Sequence, residues 1–503
     1  LHLASRRQRQ MCIRDRPTFI KKDVDVDSFI KFTHNENYYI DFDSERLLPH
    51  MFSNEGPCIS SYDLNGDDIQ DFYLGGAKGQ KSSLFLSSKN GYNEIFEPFS
   101  LHKDSEDVQS IFFDADNDGD KDLYVASGGK AFSKLSRTLN DRFYRNNSGT
   151  FTYESSALNF PKFFSTGAVT TGDINNDGYL DLIVGERFDV DNYGIPGSVY
   201  ILMNNGNGKF ITKSPKELQN IGMITDIAFT DINKDERGDI VIVGEWMPIS
   251  VFLNQGSNWK FISNDIGLQD TSGVWQNIKT SDLNNDGVPD LIVGNMGLNG
   301  LYKPKMKYYL NDFDKNGRLE AIFTYSINNE DFPIHDKDEL IKQLPYLKKD
   351  LLYYKDYSNK TIQDIFNKDI LDNSLIRKID ETRSMIFMSD DINSYFKVPM
   401  PQEVQYSSVH AIDLYDINSD GQMDLLLGGN QYLVKPQYGA FDASKGWILF
   451  GNQASNSGFD SLSSLNIYGE IRDFSIVPAT KSSDSLFLLA GISNSKIIIK
   501  NVK

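Results

Sequence analysis

Short apolar runs separated by polar turns dominate the chain, and their period is that of strands. Ile227-Ala228-Phe229 leads into a polar loop, and Ile240-Val241-Ile242-Val243 leads out of it. The outgoing run is apolar at every position, as a strand covered on both faces requires. After such runs comes a hairpin: Tyr200-Ile201-Leu202-Met203, then Asn204-Asn205-Gly206-Asn207-Gly208, then Lys209-Phe210-Ile211. Asn and Gly supply the positive φ that this turn needs. Phe252 to Phe261 and Phe143 to Phe151 repeat the form. The pattern predicts a repeating unit of strand, polar loop, strand and hairpin.

Two stretches depart from it. Residues 335–380 predict helix, with Asp336 and Glu339 as a capping box and Leu340, Leu344, Leu347 and Leu351 on one face. They read as an insertion within or beside the fifth unit. Near the C-terminus, Ile471 to Val477, Ser485 to Ala490 and Lys496 to Lys500 predict three strands of a unit without the polar loop. No apolar run is long enough for a membrane-spanning helix.

The polar loop is a nonapeptide found seven times. It has Asp first, Asp or Asn at three and five, usually Gly at six, and Asp or Glu at nine. The copies supply Asp63, Asn65, Asp67 and Asp71; Asp114, Asp116, Asp118 and Asp122; and Asp173, Asn175, Asp177 and Asp181. Further along they supply Asp231, Asn233, Asp235 and Asp239; Asp282, Asn284, Asp286 and Asp290; Asp312, Asp314, Asn316 and Glu320; and Asp416, Asn418, Asp420 and Asp424. These loops hold 25 of the 70 acidic residues, a concentration that solvated surface charge does not produce. Start-to-start spacings are 51, 59, 58, 51, 30 and 104 residues. The first four fit one four-stranded propeller blade, a little longer than the common unit of about 40–45 residues.

Calcium takes six to eight oxygens at about 2.3–2.6 Å, and alternating carboxylates and carboxamides on a tightly coiled loop can converge on it. Gly at six permits the turn, the carbonyl at seven adds a ligand, and the ninth carboxylate completes the shell. An EF-hand would end in Glu at twelve between helices, whereas these loops lie between strands. Magnesium, which prefers few protein ligands and retained waters, fits less well. Asp68 and Glu236 replace the Gly, so those turns are expected to be strained. The Asp312 copy is expected to bind metal most weakly, because Asn316 lowers its charge.

The expected fold is therefore all-β: a seven-bladed β-propeller with a short helical insertion, or an eight-bladed one if the Asp312 copy opens a blade of its own. Opening strands near residues 57, 108, 167, 225, 276, 410 and 470 count seven. The last blade is expected to borrow its fourth strand from near the start, at Tyr38-Tyr39-Ile40-Asp41-Phe42, which would hide the sheet edges. Residues 51–503 form the propeller on this reading, with the insertion at 335–380, and 17–50 form a linker carrying the closing strand. Residues 1–16, including Arg6-Arg7-Gln8-Arg9-Gln10-Met11-Cys12-Ile13-Arg14-Asp15, read as translated sequencing-adapter sequence and are left out of the fold. Removing them takes away five Arg and one Asp, moving the formal charge from −19 to −23. Cys58 then stands alone, so no internal disulfide is expected. The native start is expected to lie upstream, with the export signal. The acidic balance argues against a nucleic-acid partner.

These residues resemble the FG-GAP/VCBS repeat family of calcium-loop propellers. The nearer resemblance is to its bacterial branch akin to cartilage acidic protein, associated with the ASPIC/UnbV domain. His34 to Pro49, Gly56-Pro57, Gly75-Gly76-Ala77, Asp338 to Lys349 and Lys435 to Trp447 carry that likeness. It implies a secreted or cell-surface, non-catalytic module holding several structural calcium ions and binding a protein or carbohydrate ligand. A calcium-dependent polysaccharide lyase and a structural spacer are the alternative readings. Against the lyase, His34, His50, His102, His335 and His410 sit in no catalytic motif, and Cys58 reads as packing. The segments leaving each second strand are expected to share the face opposite the acidic loops. They carry Lys78, Lys130, Arg187, Trp246, Asn299, Gln431, Tyr432 and Lys435, so Arg187, Trp246 and Tyr432 are the expected partner-binding residues.

Overall fold

The computed structural model describes residues 30–502 apart from 90, 392–393, 454, 456–457 and 479–484. The adapter-like residues 1–16 and the linker up to residue 29 lie outside the described residues. Each predicted unit folds as an antiparallel sheet whose consecutive strands pair. The first sheet runs Ile59–Tyr62, Asp71–Leu74, Ser83–Ser88 and Gly91–Ile95. The next five open with Asp107–Phe113, Ser165–Gly172, Met223–Thr230, Asn277–Ser281 and Val409–Tyr415, and a last, three-stranded sheet opens with Ile471–Pro478. These opening strands neighbour one another in chain order, and the last meets the first.

The doubly apolar second strands have their explanation here. Asp122–Ser127, Asp181–Phe188, Asp239–Met247 and Asp424–Gly429 are buried at every position. Leu182 and Val184 pack with Phe113 and Tyr124 of the preceding sheet, while Ile183 packs with Ile227 and Ile240 of the following one. The same division closes the series, since Phe72, Leu74 and Phe85 of the first sheet pack with Val477, Leu489 and Ile499 of the last. Each such side chain contributes about 1.5–3 kcal/mol on burial.

Opening strands of neighbouring sheets do not form a ladder, so some of their amides need other acceptors. Side chains supply them. Gln109 Oε1 accepts from the Val169 amide at 2.6 Å, Asp226 from Ile278 at 3.0 Å, and Asp473 from Ile59 at 2.8 Å. The last of these ties the final sheet to the first.

The insertion is larger than its helical part. Asp290–Gly294 pairs directly with Met385–Asp391, so residues 295–384 leave and re-enter the fifth sheet between its second and third strands. They build a sheet of Met306–Asn311, Glu320–Ile327, Glu330–Pro333 and Leu375–Lys378 around short helices at Lys337–Gln343, Tyr354–Tyr357, Ile362–Ile365 and Lys368–Asp372. Leu340, Leu344, Leu347 and Leu351 are buried together against Tyr309 and Ile322, as their spacing predicts. The capping box is not formed. Asp336 makes no side-chain cap, and Glu339 instead accepts from Lys435 Nζ at 3.0 Å and Gln437 Nε2 at 2.9 Å.

The expected closing strand is also corrected. Residues 38–40 form no strand and Asp41–Ser44 is a single helical turn. Asp41 is buried there, its carboxylate accepting from the amides of Phe52 and Ser53. The segment just upstream runs beside the last sheet: Thr33 makes an isolated bridge to Lys496, and the His34 amide donates to the Ser495 carbonyl at 2.8 Å. Ile30 and Phe32 turn inward into the core between the last and first sheets.

Candidate metal centre

All seven nonapeptides adopt one conformation, held by their own side chains. In the Asp173 copy, Asp173 accepts from the amides of Asp177 at 3.0 Å and Gly178 at 2.8 Å, and Asp177 accepts from Tyr179 at 2.9 Å. The ninth residue reaches further. Asp181 accepts from the Ile174 amide inside the loop at 3.0 Å and from Asn204, on the third strand, at 2.7 Å. Asp71, Asp122, Asp239, Asp290 and Asp424 repeat this double clamp. The ninth carboxylate therefore fastens the loop to its sheet, a role the motif alone does not disclose.

Backbone geometry adds a second unforeseen rule. The fourth residue is left-handed in every copy, as at Asn176 (φ 57°) and Lys234 (φ 60°). The sixth is left-handed too, and there Asp68 (φ 68°) and Glu236 (φ 65°) hold a conformation that Gly holds elsewhere. The strain expected of those two copies thus has a location.

Six loops join the first and second strands of sheets in the main series. Adjacent loops touch: Asn117 Nδ2 donates to the Gly178 carbonyl at 3.0 Å, and Lys234 Nζ to the Asp286 carbonyl at 2.7 Å. The Asp312 loop stands apart within the insertion sheet, where the Leu319 amide donates to Asn192 Oδ1 at 3.0 Å.

Two loops present converging carboxylates. Oxygens of Asp114, Asp116 and Asp118 lie within 4.8 Å of one another, as do those of Asp312, Asp314 and Glu320. Both sets contain buried oxygens with no hydrogen-bond partner: Asp114 Oδ1, Asp116 Oδ1 and Glu320 Oε1. An orphaned carboxylate oxygen in a cluster of like charge is what a hard cation satisfies. The donor set thus fits calcium in these two copies. The Asp312 copy, placed last on charge count, is among the better arranged, because its ninth residue is Glu and leaves one oxygen unused. Arg145 pairs with Asp116 and with Glu154, so the Asp114 copy carries a guanidinium beside its acids. Burial, reinforced by neighbouring carboxylates, pushes Asp122 and Glu320 up to about 7 and Asp181 and Asp239 up to about 6.

The expected partner face is covered by the chain itself. Trp246 is 1% exposed, packs on Tyr302, Tyr308 and Phe323 of the insertion, and donates from Nε1 to Tyr193 Oη at 3.1 Å. Arg187 is buried between Glu55 at 3.0 Å and Glu245 at 2.7 Å. Both are corrections: an apolar cluster of insertion and connecting-segment residues covers Trp246, and Arg187 is held inward by its two glutamates rather than presented on an outer face. Lys130 and Lys435 are buried in pairs with Glu45 and Glu339. Of the three named partner residues, Tyr432 alone keeps an exposed side chain.

Burial lowers the basicity of His34, His50 and His102 to about 4 and also depresses His335 and His410 well below the ordinary value. Cys58 is buried and its thiol is pushed up by desolvation.

Residues 131–184 and 231–293 match the FG-GAP-like repeat, spans that contain the Asp173, Asp231 and Asp282 loops. Solved structures similar to the chain include the V. cholerae biofilm matrix protein Bap1, at 9% identity and TM-score 0.40 over 94% of this chain and 90% of that one. The Dos1 propeller is similar at 9% identity and TM-score 0.40 over 90% and 78%. YCF48 from Cyanidioschyzon merolae is similar at 11% identity and TM-score 0.42 over 90% and 97%. No curated protein matches the chain in sequence.

Proposed function

We propose that this β-propeller with FG-GAP-like repeats is a non-catalytic, calcium-stabilised binding module of the cell surface or extracellular space. It has seven blades on this reading, with the Asp312 sheet an elaboration of the fifth. The count is supported by seven opening strands in contact around the series and by an apolar cluster between each neighbouring pair of sheets, last to first included. An exported protein of the branch akin to cartilage acidic protein accords with the segments that carry that likeness.

The single observation behind calcium is the pair of converging carboxylate clusters with orphaned buried oxygens. A divalent ion there removes like-charge repulsion and satisfies those oxygens at once. The non-catalytic part rests on the sequence, in which the histidines and Cys58 belong to no recognisable catalytic motif. A protein or glycan partner would meet the chain away from Trp246, which the insertion covers, and from Arg187, which is buried with Glu55 and Glu245.

Thermal melting in calcium and in chelator tests the metal reading. Saturating calcium should raise the melting temperature by an amount set by mass action, since folded loops bind and unfolded ones do not. Identical melting in both buffers overturns it. Incubation with acidic polysaccharides, followed by absorbance of unsaturated uronates, should give no signal; turnover would favour the lyase instead.

A further inference from the structure

Away from the acidic loops, the opening strands line an open-mouthed polar cavity of about 110 Å³. Gln109, Gly167, Asp226, Asn277, His410 and Arg472, from six different opening strands, line it, with Asp473 beside Arg472 and with Glu55 and Arg187.

Its wall carries unused hydrogen-bonding capacity. Arg187 Nη1, Arg472 Nε, His410 Nε2 and Asn277 Oδ1 are buried without a partner. The two guanidinium side chains are 5% and 9% exposed. Their other contacts are fixed: Arg187 holds Glu55 and Glu245, and Arg472 Nη2 donates to Glu470 at 3.1 Å. Buried donors of this kind are costly unless something accepts from them.

The same wall carries carboxyl groups. Asp226 and Asp473 each accept two backbone amides. Among the described residues neither has a basic side chain at ion-pair distance, and each oxygen keeps acceptor capacity. Burial holds Asp473 up to about 7 and raises Asp226. A bare anion would meet Glu55, Asp226 and Asp473, and a bare cation would meet two guanidiniums. A ligand carrying both charges satisfies both sides.

We propose that this cavity binds a small zwitterion, a free α-amino acid with a short side chain. Its carboxylate accepts from Arg187 Nη1 and Arg472 Nε, and its ammonium group donates toward Asp226 and Asp473. The volume is that of about four waters, enough for an amino-acid backbone and one or two further heavy atoms.

Glycine is the probe, titrated calorimetrically into the full chain in calcium-containing buffer, with acetate and methylammonium as its two halves. Saturable millimolar binding of glycine is expected, with each half weaker by about tenfold or more. Arg472→Gln should weaken glycine by about tenfold or more. Arg472→Lys, which keeps the charge beside Glu470 and loses Nε, should do the same and serves if the first variant fails to fold. No glycine binding, meaning a cavity that holds water only, overturns the proposal. So does acetate binding as tightly as glycine, or wild-type affinity in a folded Arg472 variant.

Discussion

Glu236 and Asp68 occupy backbone that Gly occupies in the other copies of the loop. A side chain in the left-handed region costs about 1–2 kcal/mol, part of which Gly returns through the entropy of its unfolded state. Glu236→Gly should therefore stabilise the protein by about 0.5–1 kcal/mol, read from urea unfolding. A loss of stability would show that Glu236 has a contact worth more than the strain. The ninth carboxylates work in the opposite direction. Asp181→Ala leaves the amides of Ile174 and Asn204 without their acceptor and should cost about 2–4 kcal/mol. Asp181→Asn keeps one oxygen and should cost less. Equal losses in the two variants would rule out the clamp as the reason. The strain at Glu236 was readable from the missing Gly, while the clamp was not, because Asn204 stands on another strand.

The loop as an element was legible because its spacing recurs between strands, and its conformation follows from side chains within nine residues. Which copies gather three carboxylates follows the third position, where Asp116 and Asp314 stand and the other five copies have Asn. What was not legible is the ninth oxygen, which the third strand consumes at Asp181 and Asp122 while Glu320 Oε1 keeps no hydrogen-bond partner. We therefore expect both Asp118→Ala and Asp314→Ala to lower calcium stoichiometry by about one, measured by calorimetric titration. Ranking by charge alone would have spared Asp314. An unchanged stoichiometry for Asp314→Ala would restore that ranking. The insertion illustrates the same division. Its leucine spacing announced helix and a buried face, yet the sheet around it consists of strands far apart in sequence, such as Tyr308 opposite Arg377.

At the scale of the whole molecule, the buried histidines set a pH dependence. His50 is held at about 4 by burial, with Glu245 pulling it back up and Arg187 pushing it down, and it exchanges a hydrogen bond with Tyr302 at 2.9 Å. Its unfolded value is the ordinary 6.5. Between these values the unfolded chain binds the proton and the folded chain does not, so the contribution is complete above 6.5 and is lost as pH falls toward 4. Asp141, raised to about 6 mainly by burial, acts in the opposite sense, favouring the folded state as pH falls from 6 toward its ordinary value. The two are separated by substitution. Relative to the wild type, His50→Gln should make the slope of stability against pH between 6.5 and 4.5 less positive by about 1 kcal/mol per unit, measured by urea unfolding. A slope equal to that of the wild type would mean that His50 titrates normally.

The sequence by itself determined the strand-loop-strand-hairpin unit and the turn conformation of its acidic loops. Each depends on contacts between residues close along the chain, where period and turn chemistry act directly. Tertiary structure decided what depends on residues distant in sequence. It placed the joining edge at Phe32 to His34 rather than Tyr38 to Phe42, laid the insertion over Trp246 and held Arg187 between Glu55 and Glu245. An Arg and a Trp at a strand end read as a binding surface when only their types are known. Burial against Tyr193, Tyr302 and Glu245 makes them core, because the free energy of an apolar or paired side chain is set by what covers it.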